Sequence, residues 1–280
     1  MAEQYIMTRE ELHCLQEAEI ELLQEVDRIC RKHGIHYNMV GGTMLGAIRH
    51  GGYIPWDDDA DIGFLRKEYE KFREVCRTEL DADKFYFQEI RDTEGYRWGY
   101  GKLRKKGTRF IRLGQEFMPY EQGIFIDLFP MDNVPDNKIW RKLHFLNCFL
   151  LRKFLWSEVG GRIEKNKVIK LLYRVMRLVP RKLLIKWYEL LVNANAHHKT
   201  EMVRILTFPT PKGTYGFYRN WFVKQSRYQF GTITLTGARD YEGYLTHKFG
   251  DYMELPPEEQ RKIHPISRLE LGKENRNEKV

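Results

Sequence analysis

The stretch YIPWDDDADIGF, residues 53–64, places four aspartates within five positions, directly before an apolar run. If this segment enters a sheet in extended form, the period of two points Asp57, Asp59 and Asp61 to one side and Asp58 to the other. Crowded carboxylates repel one another, and such a cluster usually persists because it binds Mg²⁺ or Mn²⁺ or because it stays solvated. The stretch therefore predicts a strand that begins at a metal site, with a solvated turn as the alternative.

A glycine turn, Gly41-Gly42-Thr43, precedes the aspartates by about a dozen residues. Residues 35–40 suit a short strand and a helix is expected from Thr43, so the pattern is strand, glycine turn, helix. Glycines let a phosphate approach the backbone closely, and the start of a helix offers unpaired N–H groups and a positive dipole end. The turn is therefore a candidate anion site, although a plain strand-to-helix connection explains it as well.

Two cations are candidates for binding the same anion. Arg49 lies at the far end of the short helix, from which it would reach a pyrophosphate, although an arginine near a helix C-terminus is also favourable by charge alone. Lys102 belongs to a basic patch on a predicted hairpin, and such patches are usually solvated. In a phosphotransfer enzyme, Lys102 or its neighbour Arg104 would instead neutralise charge on a leaving nucleotide. We therefore predict Arg49 and Lys102 as donor-binding residues.

Asp127 lies in GIFIDLFP, residues 123–130, where every neighbour within two positions is apolar. Burial of an isolated carboxylate is costly, so its oxygens need either backbone N–H groups or a cation. A hard cation requires several oxygens, and a single strand delivers only alternate residues. We therefore predict that sheet pairing brings Asp127 beside Asp59 and Asp61 as a third metal ligand.

The chain of 280 residues, 42% hydrophobic, is long enough for either one elaborated domain or a catalytic core with a second lobe, and we favour the second arrangement. Thr8 and Glu11 form a capping box before an amphipathic helix that is expected to end at Gly34. Further strands are expected at 62–65, 85–90, 98–103, 108–111 and 123–129. Pro130 and Pro135 are expected to end the last of these strands. The expected division is a core at 1–136, a mostly helical, aromatic-rich acceptor lobe at 137–271 and a polar tail at 272–280.

The net charge of +8 and the pI near 9.1 favour anionic partners. Residues 162–186 are basic and amphipathic, which fits either a packed helix with a cationic outer face or contact with an anionic membrane surface. The sequence has no aromatic signature of RNA binding, so no nucleic acid is expected as a partner. Four scattered cysteines and an N-terminus without a signal-peptide pattern predict a cytoplasmic protein, with the inner face of the membrane as an alternative position.

Three stretches carry a resemblance to a known family. The segment VGGTMLGAIRHGGYIPWDDDADIGF resembles the signature of the LicD family, within the nucleotidyltransferase-fold superfamily. GIFIDLFPMD and the ending YLTHKFGDYMELPPEEQRKIHP are similar to later family segments, so the resemblance covers roughly residues 35–265. It implies an α/β (α+β) fold with a nucleotidyltransferase-like mixed sheet flanked by helices. It also implies that Gly42 and Thr43 form the family's glycine turn, with Asp59, Asp61 and Asp127 as its carboxylates.

The resemblance implies a metal-dependent phosphotransferase. Similar family members move phosphocholine from CDP-choline to sugars of teichoic acid or lipopolysaccharide, and more distant ones use CDP-ribitol or CDP-glycerol. We expect Asp59 and Asp61 to bind Mg²⁺ (or Mn²⁺) that bridges a CDP-activated donor, and Asp127 to complete the site and accept the proton of a glycan hydroxyl. The glycan acceptor is expected to be free or lipid-linked. Trp56 and Trp98 are candidates for cation–π contact with choline.

Two other functions fit the residues less closely. A nucleotidyltransferase would move a nucleoside monophosphate from an NTP and release pyrophosphate instead of CMP. A nonenzymatic polyanion-binding protein would show steep salt dependence and would not respond to the loss of Asp59.

Overall fold

The computed structural model describes residues 3–197, 199–261 and 263–272. Apart from Gly272, the predicted polar tail lies outside these ranges. The first helix, α1, spans Arg9–His33 and confirms both of its predicted ends. The Thr8 side chain accepts a hydrogen bond from the Glu11 backbone N–H, the Glu11 side chain accepts from the Thr8 N–H, and Gly34 ends the helix with a left-handed φ of 60°.

The remaining elements follow in chain order. The helices are α2 (Gly41–His50), α3 (Arg66–Glu79), α4 (Lys138–Ile163), α5 (Lys167–Met176), α6 (Arg181–Asn193), α7 (Asn220–Val223) and α8 (Tyr241–Phe249), with a 3₁₀ turn at Glu258–Gln260. The strands are β1 (Asn38–Met39), β2 (Asp61–Leu65), β3 (Phe85–Gln88), β4 (Gly101–Lys105), β5 (Arg109–Arg112), β6 (Phe125–Asn133), β7 (Met202–Arg204), β8 (Phe217–Tyr218), β9 (Gln225–Phe230), β10 (Ile233–Ala238) and β11 (Ile266–Glu270).

Nine strands form one mixed sheet, which confirms the predicted α/β class. Its order is β3-β4-β6-β2-β1-β10-β9, and β7 joins it by pairing with both β6 and β8. The pairs β2–β6 and β1–β10 are parallel, and the other pairs in this sheet are antiparallel. Strands β5 and β11 form a separate antiparallel pair. The aspartate stretch therefore enters the middle of the sheet, because β2 lies between β6 and β1.

The prediction that Pro130 ends the sixth strand is wrong, since β6 continues to Asn133. The Asp127 N–H donates to the Ala60 carbonyl, on the side of β6 that faces β2. Backbone N–H directions alternate along a strand, so the nitrogens of Leu128 and Pro130 face the opposite side, where β4 lies. Strand β4 pairs with β6 only as far as Leu128. At Pro130 that edge is open, and the N–H that proline lacks is not needed.

The boundary predicted at residue 136 marks the start of a helical segment but not the end of the core. Helices α4, α5 and α6 form this segment, and the chain then returns to the same sheet through β7, β9 and β10. Residues on both sides of the predicted boundary thus share one sheet and one large hydrophobic cluster. A smaller cluster joins α4 and α6 to the loop before β4 and the loop after β5, through Trp98, Met118, Leu155 and Tyr188 among others. Within the described ranges, no helix is long and apolar enough to cross a bilayer.

Candidate active site

Two aspartates that are distant in the chain lie side by side in the sheet. Asp61 is the first residue of β2, and its register partner on the parallel strand β6 is Asp127. Register partners present their side chains on the same face, so both carboxylates face the same cleft. Asp59 lines that cleft as well, with 19% of its side chain exposed. The sheet pairing that the sequence could only suppose is therefore present.

The three carboxylates differ in their electrostatic surroundings. Burial, and then the negative charges of Asp59 and Asp127, raises the pKa of Asp61 well above its ordinary value. Burial also raises the pKa of Asp59, although the charges of Arg112 and His264 oppose this effect. Asp127 instead accepts a hydrogen bond from the Lys102 ammonium of β4. The negative charge at Asp59 and Asp61 is therefore incompletely neutralised by the protein.

Lys102 has a position that sequence periodicity alone did not indicate. It is the register partner of Asp127 on the antiparallel strand β4, and its side chain is buried. Burial lowers its pKa to about 8, against the attraction of Asp127, which raises it. Its ammonium also lies 3.3 Å from the ring centre of Phe125. Lys102 is therefore a cation held inside the cleft and is not part of a solvated patch. Its neighbour Arg104 is also buried and donates to the side chain of Gln88 and the carbonyl of Gly123.

The glycine turn packs directly against the carboxylates. Gly41 has a φ of 60°, and a Cβ there would lie 2.5 Å from Asp61 Oδ2. A Cβ at Gly42 would clash with the carboxylate of Asp57. The Thr43 hydroxyl accepts a hydrogen bond of 2.7 Å from the Asp61 backbone N–H. Helix α2 begins at Gly41, two residues before the predicted start, so the turn is already helical where it touches the aspartates.

Arg49 lies outside the cleft. Its Nη1 donates to the backbone carbonyls of Tyr252 at 2.8 Å and Glu254 at 3.1 Å, which ties the end of α2 to the loop after α8. A contact between Arg49 and a pyrophosphate stays a prediction, and it would require these two bonds to be exchanged. Trp56 lies beneath the guanidinium of Arg261, 4.6 Å from its ring centre, and is also absent from the cleft wall.

Four residues that sequence reasoning missed surround the aspartates. Arg112 Nη1 donates to Asp58 at 2.7 Å, and His264 Nδ1 lies 2.8 Å from the other Asp58 oxygen. Burial alone would raise the pKa of Asp58, but His264 and Arg112 bring it below its ordinary value. Tyr244 accepts a hydrogen bond of 2.9 Å from the Gly41 N–H, and the charge of Asp61 acts on the Lys248 ammonium.

Three of these four residues, Tyr244, Lys248 and His264, lie in the ending YLTHKFGDYMELPPEEQRKIHP that carried part of the family resemblance. That motif was the signal that could have found them. Its distance in sequence from the aspartates hid the contact, because β11 and α8 reach the site only through tertiary packing.

The cleft has a volume of about 580 Å³. Its polar wall contains the three aspartates with Lys102, Arg112 and His264, and α4 contributes Arg152 and Lys153. Its aromatic wall consists of Trp98, Tyr100, Phe110, Phe125, Trp156 and Phe208. A wider depression of about 800 Å³, lined by α1, β9 and β10, contains none of these aspartates, so we place the chemistry in the smaller cleft.

The carboxylates of Asp59, Asp61 and Asp127 are the kind of ligand that a hard divalent cation prefers, but they do not converge on one position in this structure. Within residues 3–197, 199–261 and 263–272, no three His, Cys, Asp or Glu side chains converge as a metal cage. Asp59 and Asp61 provide carboxylate oxygens whose charge is incompletely neutralised. Asp127 would join them only by giving up its bond to Lys102. Asp59 and Asp61 are therefore the better-fitting pair, and Asp127 as a ligand stays a prediction.

Comparison with known proteins gives matches over three different lengths. Residues 34–150 match the family model for the LicD/FKTN/FKRP nucleotidyltransferase domain. The chain is 26% identical over 264 residues to the lipopolysaccharide cholinephosphotransferase LicD of Haemophilus influenzae, covering 88% of this chain and 93% of that protein. It is 29% identical over 85 residues to human ribitol 5-phosphate transferase FKRP, covering 30% of this chain and 16% of FKRP. The alignment with LicD of Haemophilus influenzae therefore extends well beyond residues 34–150.

Proposed function

On the premise that this chain belongs to the LicD family, we propose that it transfers phosphocholine, or a similar alcohol phosphate, from a CDP-activated donor to a sugar hydroxyl of a cell-surface glycan. The names of both relatives support transfer of a phosphate-containing group, and the name of the Haemophilus influenzae relative also supports a glycan acceptor. The CDP donor, the release of CMP and the choice among lipopolysaccharide, teichoic acid and capsule are the specific parts of the proposal.

One observation carries the proposal. Lys102, Asp127 and Asp61 form a row across three adjacent strands, at the glycine turn and inside the cleft. A phosphotransfer site needs both a place for a highly charged diphosphate and a carboxylate beside the attacking hydroxyl. The row supplies a buried ammonium and two carboxylates on one face. This combination supports a reaction at phosphorus more directly than the overall basic charge supports polyanion binding.

The residues take separate roles in this mechanism. Lys102 and Arg112 supply positive charge beside the donor diphosphate, which lowers the cost of the charge that develops on the leaving CMP. Asp59 and Asp61 would hold Mg²⁺ or Mn²⁺, which when bound supplies Lewis-acid stabilisation of the phosphate oxygens. Trp98, whose ring centre lies 5.6 Å from that of Trp156, offers an aromatic surface to a quaternary ammonium.

In the proposed transfer step, Asp127 accepts the proton of the attacking hydroxyl. The acceptor hydroxyl oxygen forms a bond to the phosphorus of the alcohol phosphate, and its proton passes to the Asp127 carboxylate. The bond between that phosphorus and the CMP oxygen breaks, and CMP leaves with the electron pair. Lys102 orients the Asp127 carboxylate through the hydrogen bond already present.

The experiment that tests the proposal uses several donors in parallel. The purified protein is incubated with Mg²⁺ and a short or lipid-linked glycan, and with CDP-choline, CDP-ribitol, CDP-glycerol or ATP. Acceptor-dependent release of CMP from CDP-choline that stops with EDTA is the expected result. CMP from another CDP donor would retain the reaction and change the transferred alcohol. Pyrophosphate from ATP, or the absence of product from every donor, would contradict the proposal.

A further inference from the structure

The net positive charge of this protein comes from its helical segment. Residues 138–193 contain 14 Lys or Arg and 3 Asp or Glu, which gives the segment a formal charge of +11. The rest of the chain contains the remaining 33 Lys or Arg and 36 Asp or Glu, which leaves it at −3. The net charge of +8 is therefore a property of α4, α5, α6 and their connections, and not of the sheet that holds the aspartates.

Helix α5 turns its apolar stripe away from the protein. Val168, Leu171 and Val175 follow the helical repeat, and they are 77%, 61% and 56% exposed. The helix is attached through Tyr173, which is buried against Gly160 of α4, where a Cβ would clash with its ring. An amphipathic helix on a globular protein normally directs its apolar stripe to the core. In α5 the stripe faces outward and continues to Leu178, which is also exposed.

The first half of α4 has the same arrangement. Ile139, Leu143 and Leu146 recur at helical spacing and are exposed, and Trp140 beside them is 64% exposed. His144 and Cys148, on the other side of α4, are buried. Scattered exposed apolar residues are normal, but two helices that pack together and each carry an outward apolar stripe present the kind of surface that usually marks an interaction site.

Cations accompany the apolar stripe of α5. Lys167, Lys170 and Arg174 lie one position before Val168, Leu171 and Val175, so a basic stripe runs beside the apolar one. Within the described residues, none of these three cations has a carboxylate within ion-pairing distance, although Lys170 donates to the Arg162 carbonyl. Their charge is left for an external anion.

From these observations we propose that the exposed faces of α4 and α5, with their flanking cations, dock onto an anionic lipid surface. Apolar side chains would enter the region between headgroups and acyl chains, the lysines and arginines would remain at the level of the anionic headgroups, and Trp140 would lie at the interface. A second copy of this chain is a poorer occupant because it would bring the same excess of positive charge to the contact. The lipid contact does not depend on the donor or the acceptor of the proposed function.

The surface and the cleft share one helix. Arg152, Lys153 and Trp156 of α4 line the cleft, one or two turns after the exposed half of the helix. Docking would therefore hold the cleft close to the lipid headgroups. If the proposed function is correct, this places the cleft where a lipid-linked glycan is presented.

The test is vesicle flotation with the full-length protein and no nucleotide or glycan. Vesicles of phosphatidylcholine alone are compared with vesicles in which a third of the lipid is phosphatidylglycerol. We expect binding to the anionic vesicles that weakens with salt. The variant K167Q/R174Q should bind them roughly thirtyfold more weakly, as expected for the loss of two cations near an anionic surface. The matched control K67Q/K224Q neutralises two exposed lysines outside the helical segment and should bind like the wild type.

A second variant tests the apolar contribution. L171D/V175D places two charges on the outward stripe of α5, where they face solvent and leave the buried Tyr173 contact unchanged. It should lose vesicle binding while keeping the thermal unfolding midpoint of the wild type. Equal vesicle binding by all the variants, or no binding to anionic vesicles by the wild type, would overturn the proposal. Sedimentation velocity that shows a wild-type dimer converted to a monomer by L171D/V175D would also overturn it, in favour of a second copy. Vesicle binding without transfer of any alcohol phosphate would retain this inference and reject only the proposed function.

Discussion

Asp61 of β2 and Asp127 of β6 are direct register partners on neighbouring parallel strands, with their carboxylates on the same face of the sheet. Lys102 of β4 is paired with Asp127 on its other side. The three side chains therefore form one row perpendicular to the strands, a cation followed by two carboxylates, and their order is fixed by backbone pairing. Changes within this row should affect catalysis and stability in different ways.

Replacement of Asp61 by asparagine should reduce product formation by about a hundredfold or more, because the site loses a carboxylate where cationic charge must be held. Burial and the charges of Asp59 and Asp127 destabilise the ionised form of Asp61, which raises its pKa. The neutral amide should therefore increase the free energy of unfolding at neutral pH by about 1 kcal/mol. Urea unfolding and CMP release are measured on the same preparation. The control is Asp83→Asn on an exposed loop, and unchanged activity in Asp61→Asn would contradict the assignment.

Replacement of Lys102 by methionine should lower the free energy of unfolding by about 3 kcal/mol, because it leaves the Asp127 carboxylate buried without its cation. Asp127→Asn in the same chain should recover part of this loss. A double-mutant cycle, measured by urea unfolding, should give a coupling of about 1 kcal/mol or more. Losses that simply add would show that the two side chains are not energetically coupled.

Gly41 and Gly34 form a matched pair for testing the glycine turn. Both have a φ of 60°, but a Cβ at Gly34 meets nothing within 4 Å, whereas one at Gly41 would lie 2.5 Å from Asp61 Oδ2. Each alanine substitution should cost about 1 kcal/mol from the left-handed backbone. Gly41→Ala should in addition displace the Asp61 carboxylate and abolish activity, while Gly34→Ala should leave activity unchanged. Equal activity in the two variants would show that the turn does not position Asp61.

Stability should fall as the pH drops from about 6.5 towards 4 because of His144. Burial, followed by the positive charge of Arg204, lowers the pKa of His144 to about 4. The folded protein therefore holds a neutral imidazole that the unfolded chain protonates below about pH 6.5. Above that pH the imidazole is neutral in both states and stability is not reduced. As the pH falls to 4, proton uptake by the unfolded chain lowers the free energy of unfolding by at most about 3 kcal/mol.

The measurement is the free energy of unfolding across this pH interval in the wild type and in His144→Leu. The variant should show a shallower decline, because it has no imidazole to protonate. His13→Leu, at an exposed position of α1, serves as the control and should decline like the wild type. A decline in His144→Leu as steep as in the wild type would assign the pH dependence to other groups.

Much of the fold followed from local patterns. The ends of α1 are set by Thr8, Glu11 and Gly34, whose capping bonds form within a few residues of one another. The start of β2 at an aspartate and the position of the glycine turn were equally local. The return of the chain to the sheet after residue 193 could not be predicted, because β10 pairs in parallel with the two-residue strand β1 and no periodicity reports such a partner.

The site divides in the same way. The sequence by itself determined which carboxylates are crowded, since Asp57, Asp58, Asp59 and Asp61 are neighbours in the chain, and it determined that a glycine turn precedes them. Only the tertiary structure decided that Asp127 meets Asp61, that Lys102 and not solvent pairs with Asp127, and that His264 reaches Asp58.

The tertiary structure also determined that the apolar stripe of α5 faces outward. Periodicity shows that Val168, Leu171 and Val175 share one helix face, but it does not say whether that face meets the protein. Helix caps, charge clusters and glycine turns depend on neighbouring residues. Register, long-range pairing and the choice of buried face depend instead on the free energy of packing the whole chain.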